Sequence, residues 1–257
     1  MSLFKNLYNY RELLKSNVKK EIRGKYKGSF LGVLWSFINP LLQVAVYAIV
    51  FPYIMRVKTP NYLQYLIVGI IPWTWFTTSM NQGMITIRTN AGIIKKVYFP
   101  REILPISVVV SGLVNFFISC IIIVLFCVFG GVGISWHIIL LPVIALLQFI
   151  LTLGLVLAFC AINIYIKDTE YIIQFLINML FYATPILYPA TLFPEKYRIL
   201  LYLNPLTEII NAYRDMFMYH QLPALNGMIY LTVISLVIFV IGLAIFRKLE
   251  KGFAEEV

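Results

Sequence analysis

Long stretches of the chain carry no charge at all, and polar residues collect between them. The uncharged stretches run Phe30–Met55, Tyr62–Ile87, Ile103–Trp136, His137–Ile166, Tyr171–Pro194 and Leu222–Phe246. Each exceeds the roughly 20 apolar residues that let a helix cross about 30 Å of hydrocarbon. Gly130-Gly131-Val132-Gly133 is a turn signal that divides the third run from the fourth. The pattern therefore predicts six transmembrane helices, and an even number puts both termini on one side. Residues 1–29 follow a different pattern. Leu7, Leu14, Val18, Ile22 and Tyr26 form one helical stripe, with Lys15, Lys19, Lys20, Arg23 and Lys27 on other faces. An amphipathic helix lying along the membrane interface fits this, and a solvated charged tail is the plainer alternative.

The segment from Ala183 to Pro223 is broken by prolines at 185, 189, 194, 205 and 223. Its apolar pieces are too short to span, yet too rich in Leu, Ile, Tyr and Phe for a plain loop. Two short re-entrant helices, near 192–203 and 206–220, are expected, within an outer region of about 189–223. No internal repeat is evident. Residues 30–257 thus read as a single six-helix transmembrane domain behind the interface helix.

Composition agrees. Of 257 residues, 61% are hydrophobic and 12% charged, which is too apolar for a soluble core of this size. The net charge of +10 comes from clusters beside the apolar runs and not from a continuous basic face, so membrane lipids and not nucleic acid are the expected anionic partner. With the N-terminus inside, the cytoplasmic side carries 16 Lys and Arg. The other side carries five: Arg56, Lys58, Lys196, Arg198 and Arg214. Both termini are accordingly placed in the cytoplasm. The first residues lack a short apolar core with a cleavage site, so no removable leader is expected.

No Asp, Glu, Lys, Arg or His falls in the middle of a predicted span, which argues against an ion-driven carrier or an intramembrane hydrolase. Cys120, Cys127 and Cys160 lie inside apolar runs and read as small hydrophobes. His137 and His220 stand apart without a ligand motif, so no metal is expected. Gly24-Lys25 is followed by Tyr26 and not by Ser or Thr, so no phosphate-binding loop is present. Energy for transport has to come from a partner, and no cofactor is expected in this chain.

Between the second and third runs, Asn90 can cap a short helix over 91–98 that Pro100 stops. A short amphipathic helix of this kind enters a groove on another protein. Two other stripes mix amides with aromatics. Asn39, Gln43, Tyr47 and Phe51 share nearly one face of the first span. Tyr171, Gln174, Phe175, Asn178 and Tyr182 do so on the fifth. Such faces suit a sugar chain, since rings stack on C–H faces and amides exchange hydrogen bonds with hydroxyls. Amides in spans also bond neighbouring helices, the reading preferred for Asn115 and Asn163. Trp73, Trp75 and Trp136 read as interface-belt residues. Asp168 and Glu170 form a close acidic pair, with Lys167 as their expected salt-bridge partner.

Several segments together resemble the permeases of polysaccharide-exporting ABC transporters, which handle O-antigen, capsule or teichoic acid. They are residues 23–35 (Arg-Gly-Lys-Tyr-Lys-Gly-Ser-Phe-Leu-Gly-Val-Leu-Trp), 39–42 (Asn-Pro-Leu-Leu), 69–76 (Gly-Ile-Ile-Pro-Trp-Thr-Trp-Phe) and 90–101 (Asn-Ala-Gly-Ile-Ile-Lys-Lys-Val-Tyr-Phe-Pro-Arg). Residues 166–171, 184–189 and 202–207 continue the likeness. The resemblance implies export of an undecaprenyl-linked polysaccharide across the bacterial cytoplasmic membrane. It also implies a homodimer working with two copies of a separate P-loop ATPase, which alone binds ATP. Residues 90–101 become the coupling helix, with Ile93, Ile94, Lys95, Val97, Tyr98 and Arg101 toward the ATPase. The first and fifth spans become the channel wall, and the broken segment becomes outer gate helices. A drug or lipid permease would favour an apolar lining. A membrane-bound sugar transferase would need acidic residues at the membrane surface.

Overall fold

The computed structural model describes residues 3–24, 32–54 and 59–256. Lys25, Tyr26, Lys27, Phe30, Met55, Arg56 and Lys58, together with residues 25–31 of the segment 23–35, lie outside the described residues. The described chain is helical, with turns and no strand. Helix α1 (Leu3–Asn9) turns at Tyr10 into α2 (Arg11–Gly24). Leu14, Val18 and Ile22 are partly covered on α2 while the lysines stay exposed. The stripe rests on the start of α6 (Ile103–Phe129). Asn6 Nδ2 donates to Glu102 Oε1 at 2.8 Å, and Lys20 Nζ to Asn90 Oδ1 at 3.0 Å.

Among the described residues, three helical stretches are long and apolar enough to cross a membrane: Ile103–Phe129, Trp136–Tyr165 and Leu225–Gly252. The first two are joined by the predicted glycine turn. Gly131 and Gly133 adopt φ of +81° and +79°, which glycine reaches without strain. Trp136 opens the second of these helical stretches and is exposed.

The next structural level is set by α4 (Tyr62–Thr89), 28 residues that pack against α3 (Trp35–Ile54), α6, α7 (Leu141–Tyr165), α8 (Thr169–Ala183) and α10 (Pro205–Arg214). It is buried on nearly every side, and side chains of neighbouring helices bond to its backbone carbonyls. Gln148 of α7 donates to the Pro72 carbonyl at 2.9 Å and accepts from the Tyr213 hydroxyl at 3.1 Å. Asn163 donates to the Met84 carbonyl at 3.1 Å, the interhelical role expected for it. Trp73 and Trp75 depart from expectation. They are core residues of α4, with Trp75 stacked on Phe116 at 4.9 Å and Trp73 against Phe181 at 5.5 Å. Their helix sits at the centre of the bundle, so its aromatic rings have no access to a lipid headgroup layer.

The fifth apolar run also differs. It is helical only over Thr169–Ala183, because Pro185 and Pro189 cannot continue the helix. Beyond these prolines, α9 (Glu195–Tyr202) and α10 stand where two short helices were expected, α10 running on as a π-helical turn over Asp215–Tyr219. Asn204 caps α10, its side chain accepting from the Leu206 amide at 3.1 Å, with Pro205 at the first helical position. Last come α11 (Leu225–Leu249) and a final turn, α12 (Phe253–Glu256).

Helices α7 and α11 touch through backbone. A Cβ on Gly154 would sit 2.6 Å from Phe239 Cα, and one on Gly242 would sit 2.0 Å from the Gly154 carbonyl oxygen. Small residues at such a crossing permit the close van der Waals packing that joins helices in lipid. Gly154→Val should therefore force the helices apart and cost at least about 1–3 kcal/mol. The check is a lower melting temperature in detergent than for Gly92→Ala, a substitution that meets nothing within 4 Å.

Candidate functional site

The two amide-and-aromatic stripes lie on α3 and α8, which are linked by a ring contact through Phe181, a residue of neither stripe. Tyr47 of α3 lies 5.9 Å from Phe51, edge to face, and 6.0 Å from Phe181 of α8. Gln43 donates to the Tyr47 hydroxyl at 3.2 Å. Asn39 is exposed, whereas Gln43, Tyr47 and Phe51 are half-buried. On α8, Tyr171, Phe175, Asn178 and Tyr182 all face outward, because Ile173, Ile177 and Phe181 take the inward side. The result is an uncovered face carrying amides, hydroxyls and rings. At one end of it, Arg88 pairs with Glu170 at 3.4 Å. Glu170 is thus held by α4 and not by Lys167.

The helix expected over residues 91–98 as a docking segment is shorter than its sequence suggests. Helix α5 covers Ala91–Ile94, with further bonds from the Lys96 and Val97 amides to the Ile93 carbonyl. Asn90 does not cap it through its side chain. That amide donates back to the Thr86 carbonyl at 2.8 Å and accepts from Lys20. Ile93, Val97 and Tyr98 are exposed apolar side chains, Tyr98 at 92%, and Lys95 is exposed beside them. Ile94 turns into the core. Arg101 is engaged within the chain, donating to the Glu250 carbonyl with its guanidinium 5.8 Å from the Phe253 ring. Asn6, Tyr10, Tyr98, Arg101, Arg247 and Glu250 help line a cavity of about 750 Å³ beside this segment. The structure therefore divides the six expected docking residues. Four are available on the surface, Ile94 supports the segment from below, and Arg101 ties it to the chain's end.

The opposite end of the bundle holds a residue that charge counting misplaced. Arg214, counted among the charges of the outer side and expected on a short re-entrant helix, is buried at 2% exposure. Its Nη1 donates to the Pro185 carbonyl at 2.6 Å and its Nη2 to the Ile186 carbonyl at 2.9 Å. The guanidinium lies 3.4 Å from the centroid of the Tyr65 ring. As an arginine it stays protonated at neutral pH. One signal was present in the sequence. Leu206, Ile210, Tyr213 and Phe217 define the apolar stripe of α10 and its extension, and Arg214 lies on that stripe. A cavity of about 310 Å³ nearby is lined by Tyr65, Glu208, Asn211, Asp215 and Tyr219, among others. Burial raises the pKa of both carboxyls there, and Asp215 adds to the rise at Glu208.

Membrane-length apolar helices packed around a buried central helix are the build of an integral membrane protein. Residues 12–218 match the family described as ABC-2 type transporter, and the chain belongs to that family. It is 38% identical over 257 residues to the O-antigen export system permease protein RfbA of Myxococcus xanthus, covering 99% of each chain. With the protein of that name from Klebsiella pneumoniae it shares 38% over 258 residues, 97% of this chain and 96% of the other. The polysialic acid transport protein KpsM of Escherichia coli is 25% identical over 240 residues, 91% of this chain and 92% of the other.

Because Ile94 is packed and Tyr98 is not, substitutions there should separate folding from docking. Ile94→Asp buries an unpaired carboxylate at a cost of roughly several kcal/mol, and membrane accumulation should fall. Val97→Asp and Tyr98→Ala should accumulate and melt like the wild type. Equal loss of accumulation in all three would show the whole segment to be packed core.

Proposed function

We propose that this chain is the permease of an ABC transporter that exports a lipid-linked polysaccharide across the bacterial cytoplasmic membrane. The observation that carries this is the end-to-end likeness to O-antigen export permeases, 38% identical over 99% of both chains in one case. ATP is bound and hydrolysed by a separate subunit, in keeping with the missing phosphate loop. Neither a drug or lipid permease nor a sugar transferase has support of this kind.

In this reading α3, α4, α6, α7, α8 and α11 are the six spans. Helix α8 has 15 residues, about 22 Å at 1.5 Å per residue, and the buried segment 184–187 completes its crossing inside protein. Both termini are cytoplasmic, and α9 and α10 are re-entrant gate helices on the outer side. Two copies of the chain put their α3 and α8 faces toward a shared path, where amides and rings make many weak contacts with the polymer. Two ATPase subunits dock on Ile93, Lys95, Val97 and Tyr98.

The reading is tested in cells lacking this chain. Surface polymer should disappear while lipid-linked polymer accumulates inside, and restoring the chain should reverse both. Surface polymer at the wild-type level would sink it. Tyr98→Ala and Val97→Asp should each weaken co-purification of the ATPase, by about tenfold or more if they remove an anchor near 2 kcal/mol. Unchanged co-purification would place the contact elsewhere.

The spans and the pore give two further expected outcomes. Single cysteines at 196, 204 and 220 should react with an impermeant thiol reagent added outside, and one at 95 should not; labelling at 95 reverses the orientation. Tyr47→Ala and Tyr182→Ala should each slow export by about fivefold, as expected for contacts near 1 kcal/mol, while Trp136→Ala has little effect. Phe175→Glu should accumulate in the membrane yet block export of a neutral polymer. Its failure to accumulate would mark that position as a packing contact.

A further inference from the structure

The turn from Thr184 to Tyr188 leads from α8 toward the short outer helices, and the carbonyls of residues 185–188 all point to side chains of other elements. Arg214 takes those of Pro185 and Ile186. Tyr62 donates to the Leu187 carbonyl at 2.7 Å, and Tyr65 to those of Pro185 at 3.2 Å and Tyr188 at 2.8 Å. Four residues of the turn, Thr184 to Leu187, are buried. Among the described residues no carboxylate pairs with Arg214. Its charge is balanced by backbone dipoles and the Tyr65 face alone. Burying a guanidinium without a counter-ion is costly, and an aliphatic side chain would fill the space without that cost. What the planar fork adds is geometry, since it grips two successive carbonyls at once. Helix α4 leaves room for it at Gly69, where a Cβ would lie 3.0 Å from Nη2 and 3.3 Å from Ile186 Cγ2.

Tyr62, Tyr65 and Gly69 occupy the first two turns of α4. Its other end passes directly into the docking segment, with the Asn90 amide bonded to the Thr86 and Ile87 carbonyls. One continuous helix of 28 residues, about 42 Å long, therefore carries the docking turn at one end and grips the end of α8 at the other.

We propose that Arg214 is a positioning residue for transport: with Tyr62 and Tyr65 it fastens the end of α8 and the outer helices to α4, so that displacement of the docking segment reaches the outlet. This rests on the ATPase docking at residues 91–98 proposed above. It does not depend on the identity of the polymer.

The test uses the full permease–ATPase complex with two readouts. The first is hydrogen exchange at the Ile186, Leu187 and Tyr188 amides, with and without a non-hydrolysable ATP analogue. In the wild type, protection there should change when the analogue binds, and in Arg214→Lys, which keeps the charge and loses the fork, that response should vanish. Absence of any response in the wild type overturns the proposal, whatever is exported. The second is ATP hydrolysed per polymer exported. Arg214→Lys, Tyr65→Phe and Gly69→Ala should each raise it by about tenfold, a coupling loss within the range known for residues between two sites. Should Arg214→Lys fail to accumulate, the other two decide. A wild-type ratio in both, or export and hydrolysis falling in proportion, would leave Arg214 as a packing residue and end the proposal. Loss of surface polymer on deletion tests the export reading separately, so the two can fail independently.

Discussion

A carbonyl that leaves a helix at membrane depth has no water to turn to, and it must find a donor within the protein. This constraint organises the bundle. The prolines at 185 and 189 end α8 and free a row of carbonyls, and Tyr62, Tyr65 and Arg214 answer them. The same demand explains why α4, the least apolar of the long helices, lies at the centre. Its neighbours supply Gln148 and Asn163 to the Pro72 and Met84 carbonyls. Helices with no polar needs, such as α6 and α11, can turn a broad apolar side outward instead.

Charge and apolar periodicity made most helices legible. The glycine turn at 130–133, the two short helices near 195–219 and the stripe on α2 appear where residue spacing puts them. What the pattern could not convey is which side of a uniformly apolar helix meets protein. Trp73 and Trp75 therefore read as belt residues although they are core, and Ile94 looked as free as Ile93. Arg214 shows the converse limit. A charge between short apolar pieces reads as an exposed residue until its acceptors are seen to come from 28 and 29 positions earlier in the chain. Glu170 likewise takes a partner 82 positions away in preference to its near neighbour Lys167.

The candidate site was legible in a different measure. Amides and aromatics four apart on α3 and α8 predict a shared stripe on each helix, and in the structure the two helices are linked by Tyr47 and the inward-facing Phe181. That adjacency is tertiary, arising because both helices lie against α4. The reversal of Asn90 is tertiary too. Its side chain would cap α5 in isolation, but Lys20 from the N-terminal helix and the Thr86 carbonyl engage it instead.

The glycine crossing of α7 and α11 has a mechanical corollary. Helices joined backbone to backbone cannot slide without a steric clash, so that pair forms a stator. Helices α3 and α8 are instead joined to each other by rings such as Tyr47 and Phe181, which can slip over one another with small changes in rotamer. The two pairs of helices thus differ in how freely each can shift against its neighbour.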